Sequence, residues 1–440
     1  MSAPIAQSYR LAGGGEVAGH LRVPGDKSIS HRALMLGALA SGRTRISGFL
    51  AGEDCLATTR ALGALGVPIA FPRTGEVEVA GVGSHGLQGP AAPLDLGNSG
   101  TGMRLMMGLL APQRFAATLV GDGSLMRRPM ERVAAPLRQM GARIRTHEGR
   151  PPVEIEAAGE LNAISYTLPV ASAQVKSALL LAALGARGEL RLTEPAPSRD
   201  HTERMLALFG VRLAQEGRTI RMAGGQALTA TAVAVPGDFS SAAFFLVAGC
   251  LAGRGTLVLE NVGVNATRTG LLEMLRLMGA DIRLHMRTAP APFAEPVADI
   301  EVRAAALSGI TVPEALVPLA IDEFPAFFIA AAAARGETLV RGAGELRVKE
   351  SDRLAAMAAG LAVLGVEHRL LPDGLWLKGQ GDFAGGVIDS LGDHRIAMAF
   401  AVASLRARAP LQVRDVANVA TSFPGFEDTA RAAGLRIESR

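Results

Sequence analysis

Six times along the chain a short polar turn opens a helix that is apolar nearly all round. After a small-residue break comes a second helix, amphipathic, that runs into a glycine. The polar turns begin near Asp26, Asn98, Ser172, Asp238, Asp322 and Asp393. The second helices run into Gly66, Gly141, Gly210, Gly279, Gly365 and Gly434, at spacings of 75, 69, 69, 86 and 69 residues. A unit of about 70 residues therefore recurs six times and fills the sequence. A helix with no polar face is a buried one, and a helix with one apolar stripe lies against a core. The pattern thus predicts cores of first helices, with strands and second helices around them.

The first unit shows the grammar. PGDKSISHRALMLGALASG (24–42) is turn chemistry followed by a helix, with Ser28 or Ser30 expected near the cap. RTRISGFL (43–50) alternates and predicts a strand, EDCLATTRALGALGV (53–67) a second helix, and the IAFP and VEVAG pieces short strands. The segments 98–111, 172–188, 238–255, 322–336 and 393–407 repeat the first helix. Strands this short, bounded by Gly or Pro, predict small mixed sheets. A chain of 440 residues exceeds one ordinary core, and six units divide as three plus three. One domain is expected over 24–235, the other over 236–440 with 1–23 added, and a first strand near 5–22 could pair with either. LRVPGD (21–26) and VAVPGD (233–238) mark a hinge that the chain crosses twice.

Composition narrows the class. The chain is 49% hydrophobic and 20% charged, with mean hydropathy +0.26. Apolar runs such as AFFIAAAAA (326–334) fall short of the ~20 residues that span a bilayer, so no membrane is expected. The opening MSAPIAQSYRLAGGG has no apolar signal core, and two cysteines without disulfide or zinc spacing fit a reducing cytoplasm. Net charge is +4 with scattered bases, and 4% aromatics are too few for base stacking, which argues against nucleic acid and for small anionic ligands. Only Lys27, Lys176, Lys349 and Lys378 are lysines, against 41 arginines. Lys27, Lys176 and Lys349 lie in polar turns or at helix starts, where a Lys can give up a proton and an Arg cannot.

The same positions carry the candidate chemistry. PGDKSISHR (24–32) sets Lys27, Ser28 and Arg32 at a helix start whose free N–H groups also attract an oxyanion. LGNSGTGMR (96–104) is a Gly-rich turn before a helix, and GDGSLMRRPM (121–130) puts Arg127 and Arg128 before a helix expected to begin at Pro129. ASAQVKS (171–177) and PSRDHTER (197–204) contribute Ser172, Gln174, Ser198 and Arg199. Asp322 and Glu323 precede a very apolar helix; Arg347, Lys349, Glu350, Asp352 and Arg353 crowd RVKESDR (347–353), where Glu350 and Arg353 share a face; His394 and Arg395 open the last buried helix. Taken singly, each is also a plain cap or a solvated ion pair. Together they place cations and carboxylates on one edge of all six units, so facing halves would gather them in a cleft. No metal-ligand spacing and no dinucleotide fingerprint appears.

DKSISHR, LGNSGTGMR, RRPM, SAQVKS, RVKESDR and DHRIAM, in that order, resemble the signatures of the 5-enolpyruvylshikimate-3-phosphate synthase family of enolpyruvyl transferases. The resemblance implies a two-domain inside-out α/β barrel, each domain three βαβαββ-type repeats with buried helices. It also implies transfer of the enolpyruvyl group of phosphoenolpyruvate to the 5-hydroxyl of shikimate 3-phosphate, with release of phosphate, in aromatic amino-acid biosynthesis. No metal or organic cofactor is implied, and a cytoplasmic monomer is expected. By resemblance Lys27, Asp322 and Glu350 are catalytic. Lys27, Ser28, Arg32, Ser172, Ala173, Gln174, Ser198, Arg199, Asp322 and Lys349 would bind shikimate 3-phosphate. Lys27, Asn98, Gly100, Thr101, Arg128, Gln174, Arg353 and Arg395 would bind phosphoenolpyruvate. Each substrate carries about three negative charges, and at ~6 Å with an effective dielectric of ~20 their repulsion is roughly 25 kcal/mol, which accounts for the crowd of cations.

The sequence departs from the family pattern in two places. Thr421 stands where many members carry a Lys before the late Thr-Phe-Pro motif, as in a second branch of the family, and Ala173 replaces a second Ser. Gly100, where some members have Ala, is expected to leave the site sensitive to glyphosate. The sister transferase that acts on UDP-N-acetylglucosamine is expected to show a reactive Cys on a loop near the Arg motif, and 112–130 has none. A non-catalytic module for phosphorylated metabolites would avoid three carboxylates among its cations. A protein-binding repeat scaffold would expose apolar grooves rather than bury its first helices.

Overall fold

The structure is a computed structural model, and it describes residues 8–157, 159–289 and 292–440. Residues 5–7 of the expected first strand lie outside the described residues. The six first helices are α1 (Lys27–Leu39), α3 (Gly100–Leu110), α5 (Ala173–Ala183), α7 (Phe239–Leu251), α9 (Phe324–Ala333) and α11 (His394–Ala403). They alternate with the second helices α2 (Glu53–Ala64), α4 (Glu131–Gln139), α6 (His201–Leu208), α8 (Gly270–Leu277), α10 (Arg353–Val363) and α12 (Phe426–Ala432). Every residue of α7 and α11 is buried, as their unbroken apolar surface requires. Each second helix ends two residues before its glycine, and all six glycines have positive φ, between 75° and 102°. That left-handed turn is one a Cβ resists, so glycine stops the helix there.

The first turns are capped mostly by acidic and hydroxyl side chains. Asp26, Ser99, Ser172, Asp238 and Asp393 accept hydrogen bonds from the backbone N–H of Ile29, Gly102, Val175, Ser240 and Arg395. At α1 the serines expected near the cap, Ser28 and Ser30, follow the capping residue. Asp26 takes the cap, and Ser30 Oγ instead accepts from the N–H of Leu50 at 3.1 Å. Likewise α4 begins at Glu131, not Pro129, because a 3₁₀ turn (Leu125–Arg127) comes first. It leaves Arg127 exposed and Arg128 buried.

The chain divides into two compact lobes. The N lobe is Gly25–Val235 with Ala289–Glu295; the C lobe is the chain up to Pro24 with Pro236–Thr288 and Pro296–Arg440. Each has its own apolar core. The repeat is plain in the strand pairing. In the second repeat Leu94–Asp95 pairs parallel with Ala117–Val120, which pairs antiparallel with Arg150–Ile155, which pairs antiparallel with Ile144–His147. The same order of one parallel and two antiparallel pairings recurs in the third repeat, through Ser165–Thr167, Glu189–Thr193, Thr219–Ala223 and Leu213–Glu216.

The start of the chain completes two repeats of the C lobe. Gly19–Leu21 is the parallel partner of Thr256–Gly263 in the fourth, and Ser8–Ala12 lies between Leu411–Arg414 and Arg436–Ser439 in the sixth. In the N lobe Leu228–Thr229 and Ala232–Ala234 return to pair parallel with Ala40–Ser47, closing the first repeat with strand from beyond the third. Equal division of the repeats puts 289–295 in the C-terminal half; Ala289–Glu295 groups instead with the N lobe, which adds two passages to the two expected. What holds it there is polar, one contact buried and one half-buried. Glu295 Oε1 lies 2.6 Å from His201 Nδ1, and Arg204 Nη1 donates to the carbonyl of Ala294 at 3.3 Å.

Candidate active site

In the N lobe most of the expected residues lie at or near the starts of α1, α3 and α5, each held by its own partners. Lys27 Nζ donates to Asp54 Oδ2 at 2.9 Å, a partner on α2. Arg128 Nη2 donates to Asn98 Oδ1 at 2.6 Å and Nη1 to the Asn98 carbonyl at 3.1 Å, so the Arg fork holds the Gly-rich turn directly. Gln174 Nε2 donates to Thr101 Oγ1 at 3.0 Å, linking the starts of α5 and α3. At Gly100 a Cβ would lie 3.1 Å from Arg128 Nη1 and 3.2 Å from Arg104 Nη1, so an Ala there would press on both guanidinium groups.

Arg32 is buried and committed in part to its own lobe. Its Nε donates to Thr202 Oγ1 at 2.7 Å, Nη2 to Ser177 Oγ at 2.8 Å and Nη1 to the Ser28 carbonyl at 2.9 Å. Burial first, and then the nearby Arg199, pulls its pKa down to about 10 against Glu203 and Asp26. Arg199 therefore acts electrostatically on Arg32. Ser172 caps α5 ahead of Ala173, and Ser198 Oγ donates to Glu194 Oε1.

Lys176, a proton-transfer candidate by residue type and place, has a different part in this chemistry. It is 1% exposed, 2.9 Å from Glu194 Oε2 and 2.7 Å from Glu203 Oε1. Burial pushes Glu203 above the usual carboxylate range. A buried Lys between two carboxylates is a structural ion cluster, and this one also donates to the Ser198 carbonyl at 3.3 Å, bracing the 195–200 loop.

In the C lobe the starts of α10 and α11 and the turn before α9 converge on Arg353. Its Nη2 donates to Glu350 Oε2 at 2.6 Å, Nη1 to Asp322 Oδ1 at 3.3 Å and Nε to Asp393 Oδ2 at 2.8 Å. Burial alone would lower its pKa, but Asp393, Glu350 and Asp322 outweigh it and raise it. Lys349 Nζ is 3.6 Å from Asp322 Oδ1 and 3.8 Å from Glu345 Oε1, and desolvation holds its pKa below the ordinary Lys value in spite of them. Arg395 Nη1 donates to the Asp322 carbonyl at 3.0 Å. Asp322, Lys349, Glu350, Arg353 and Arg395 thus form one cluster of two carboxylates and three cations, closed behind by Asp393.

Sequence reasoning missed several of the residues that hold these groups. Arg104, in the middle of buried α3, donates to Gln174 Oε1 at 2.7 Å and to the Pro129 carbonyl at 3.0 Å. Its signal was present: a cation in an otherwise apolar helix needs a buried partner. His31 bridges Thr58 Oγ1 (2.9 Å) and Ser99 Oγ (3.2 Å), and burial with Lys27 and Arg32 close by lowers its pKa to about 3. Thr421, in the place of a family Lys, turns its hydroxyl to the Asn418 carbonyl at 2.7 Å. Among the described residues no helix is long and apolar enough to cross a membrane, and no three His, Cys, Asp or Glu side chains are grouped to hold a metal.

Three comparisons with known proteins bear on this arrangement. The family model described as EPSP synthase (3-phosphoshikimate 1-carboxyvinyltransferase) matches residues 11–430. The 3-phosphoshikimate 1-carboxyvinyltransferase of Alkalilimnicola ehrlichii is 58% identical over 98% of this chain and 96% of its own length. That of Methylococcus capsulatus is 58% identical over 97% of each. The solved EPSP synthase of Acinetobacter baumannii superposes with a TM-score of 0.88 at 50% identity, covering 99% of this chain and all of the other. With the match running through every segment that carries a candidate residue, the chain belongs to the EPSP synthase (3-phosphoshikimate 1-carboxyvinyltransferase) family.

Proposed function

We infer that this chain transfers the enolpyruvyl group of phosphoenolpyruvate to the 5-hydroxyl of shikimate 3-phosphate and releases phosphate, a step of the shikimate pathway to aromatic amino acids. The observation that carries the reading is the family match over residues 11–430, which takes in both lobes and all six ordered motifs. The reaction balances without an outside reagent. The 5-hydroxyl oxygen bonds to C2 of phosphoenolpyruvate and loses its proton, and C3 gains one. The adduct then loses phosphate from C2 and a proton from C3, which restores the double bond.

The residue roles follow from the chemistry of each group. Asp322 accepts the hydroxyl proton, with Lys349 beside it holding ring hydroxyls. Glu350 gives and later takes the C3 proton. Lys27 neutralises the phosphoenolpyruvate phosphate and moves protons, its ammonium kept in place by Asp54. Ser28 and Arg32 hold the shikimate carboxylate; Ser172, Ala173, Gln174, Ser198 and Arg199 line its phosphate. Arg128, Arg353 and Arg395, with the backbone from Asn98 to Thr101, clamp phosphoenolpyruvate. Protonation at C3 makes C2 cationic, and the carboxylates of Asp322 and Glu350 stabilise that charge.

The roles draw on residues of both lobes. We read each lobe as an inside-out barrel of three βαβαββ repeats with its first helices inside, and the passages at Pro24/Gly25 and Val235/Pro236 as a hinge. The enzyme is taken to act as a cytoplasmic monomer; Cys55 and Cys250, both buried and in no disulfide, fit a reducing compartment. The test is phosphate release from phosphoenolpyruvate, which is expected only when shikimate 3-phosphate is present. Lys27→Met is expected to abolish turnover while leaving the melting temperature within a few degrees. Retained turnover removes Lys27 from the mechanism, and no release with the wild-type chain ends the reading.

A further inference from the structure

Arg353 meets three carboxylates, and they are not equivalent. Its outer edge faces the two assigned to proton transfer, Nη1 toward Asp322 and Nη2 toward Glu350, whose side chains are 15% and 22% exposed. Its side edge faces Asp393, which is 0% exposed: Nε donates to Oδ2 at 2.8 Å and Nη2 to Oδ1 at 3.4 Å. Asp393 is held from two further directions. Its Oδ1 accepts from the N–H of Arg395 at 2.9 Å as the cap of α11, and its Oδ2 accepts from Ser351 Oγ at 3.1 Å. An oxyanion arriving at Arg353 can take the outer edge as Asp322 and Glu350 turn to the reacting atoms. It cannot take the side edge, because Asp393 would have to leave a buried guanidinium and a helix end together.

We propose that Asp393 is the positioning residue of the phosphoenolpyruvate clamp, fixing the plane of Arg353 by its side edge and the backbone of Arg395 by its cap. A guanidinium recognises an oxyanion through two parallel N–H groups, so the direction of its plane decides whether the contact is bidentate. Asp393 sets that direction and leaves the Nη1/Nη2 edge free to exchange partners. It is also the counter-charge that stays when the other two carboxylates move. Without it, Arg353 would hold Glu350 and Asp322 more tightly and present its fork less reliably. The proposal rests on the reading above that Arg353 binds phosphoenolpyruvate.

The test is the KM for each substrate in Asp393→Asn, in Arg353→Lys and in the double variant. Asn keeps a capping oxygen and the shape of the side chain while removing the charge. The expected result for D393N is a rise of roughly ten- to a hundredfold in the KM for phosphoenolpyruvate, the scale of a hydrogen bond to a charged group, with the KM for shikimate 3-phosphate within about twofold. In the R353K background D393N is expected to add little to the KM for phosphoenolpyruvate. A D393N effect equal on both substrates, or undiminished in R353K, overturns the proposal, because a merely structural Asp would act that way. A raised KM in R353K with none in D393N overturns it alone. An unchanged KM in R353K overturns the reading of Arg353 beneath it. Should D393N fail to fold, Asp393→Ser, which also caps, carries the same measurements.

Discussion

His31 shows how a residue given no role in binding or catalysis supports the site. It is fully buried between Thr58 and Ser99, and Ser99 caps the helix whose first turn carries Gly100 and Thr101. With its pKa lowered from 6.5 to about 3, the folded lobe keeps it neutral where the unfolded chain takes up a proton. The sign follows: the unfolded state binds more protons below pH 6.5, so stability is intact above that value and falls as pH drops toward 3. Between pH 7 and pH 5 this one group is expected to cost about 2 kcal/mol. Urea unfolding of the wild type and His31→Gln at both pH values measures it; the variant is expected to lose about 2 kcal/mol less on acidification, and equal losses would rule the account out. Residues with local partners were legible beforehand, as with Glu350 and Arg353 one turn apart. Arg104, Asp54 and Asp393 were not, because their partners lie 70, 27 and 40 residues away in sequence.

At the scale of elements the alternation of buried and amphipathic helices was readable, together with its glycine stops. Each depends only on local periodicity and on a φ that side chains resist. The caps were less so: a short acidic or hydroxyl residue two places off looks the same in sequence, and α1 took Asp26 rather than a serine. Close helix approach was invisible. Gly108 of α3 packs on α5 so closely that a Cβ would lie 2.2 Å from the Ala178 carbonyl oxygen. Gly63, exposed on α2, has nothing within 4 Å of that position. The two glycines are therefore expected to respond oppositely to Ala. Gly63→Ala should stabilise by about 0.5–1 kcal/mol through helix propensity, and Gly108→Ala should destabilise by about 1–3 kcal/mol or more through overpacking. Thermal melts of the two variants decide it, and a stable Gly108→Ala would mean that α3 and α5 can separate at little cost.

At the scale of the whole molecule, the chain has two cores and passes between its lobes at Pro24/Gly25 and Val235/Pro236, near where six repeats divided equally are expected to part. The roles proposed above for substrate binding draw on residues of each lobe, so a ternary complex is expected to restrain both passages. Limited proteolysis at 21–26 and 233–238 should slow several-fold with shikimate 3-phosphate and phosphoenolpyruvate together, and much less with either alone. Equal protection by one ligand would show that a single lobe suffices. The segment 289–295 could not have been assigned this way, since its place in the N lobe depends on Glu295 meeting His201, 94 residues away.

What the sequence determined by itself was the repeat, the buried class of each first helix, the stops of each second helix and the ordered motifs that carry the family and its reaction. All of these are written in local periodicity, turn chemistry and the identity of neighbouring residues. Only the tertiary structure decided which strands close which repeat, that Ser8–Ala12 and Gly19–Leu21 complete sheets of the C lobe, and that Lys176 is neutralised by Glu194 and Glu203. It also decided that Asp393 stands behind Arg353. These are pairings between distant segments. A hydrogen bond or an ion pair depends on distance and direction in space, and spacing along a chain carries neither once it has passed through several turns.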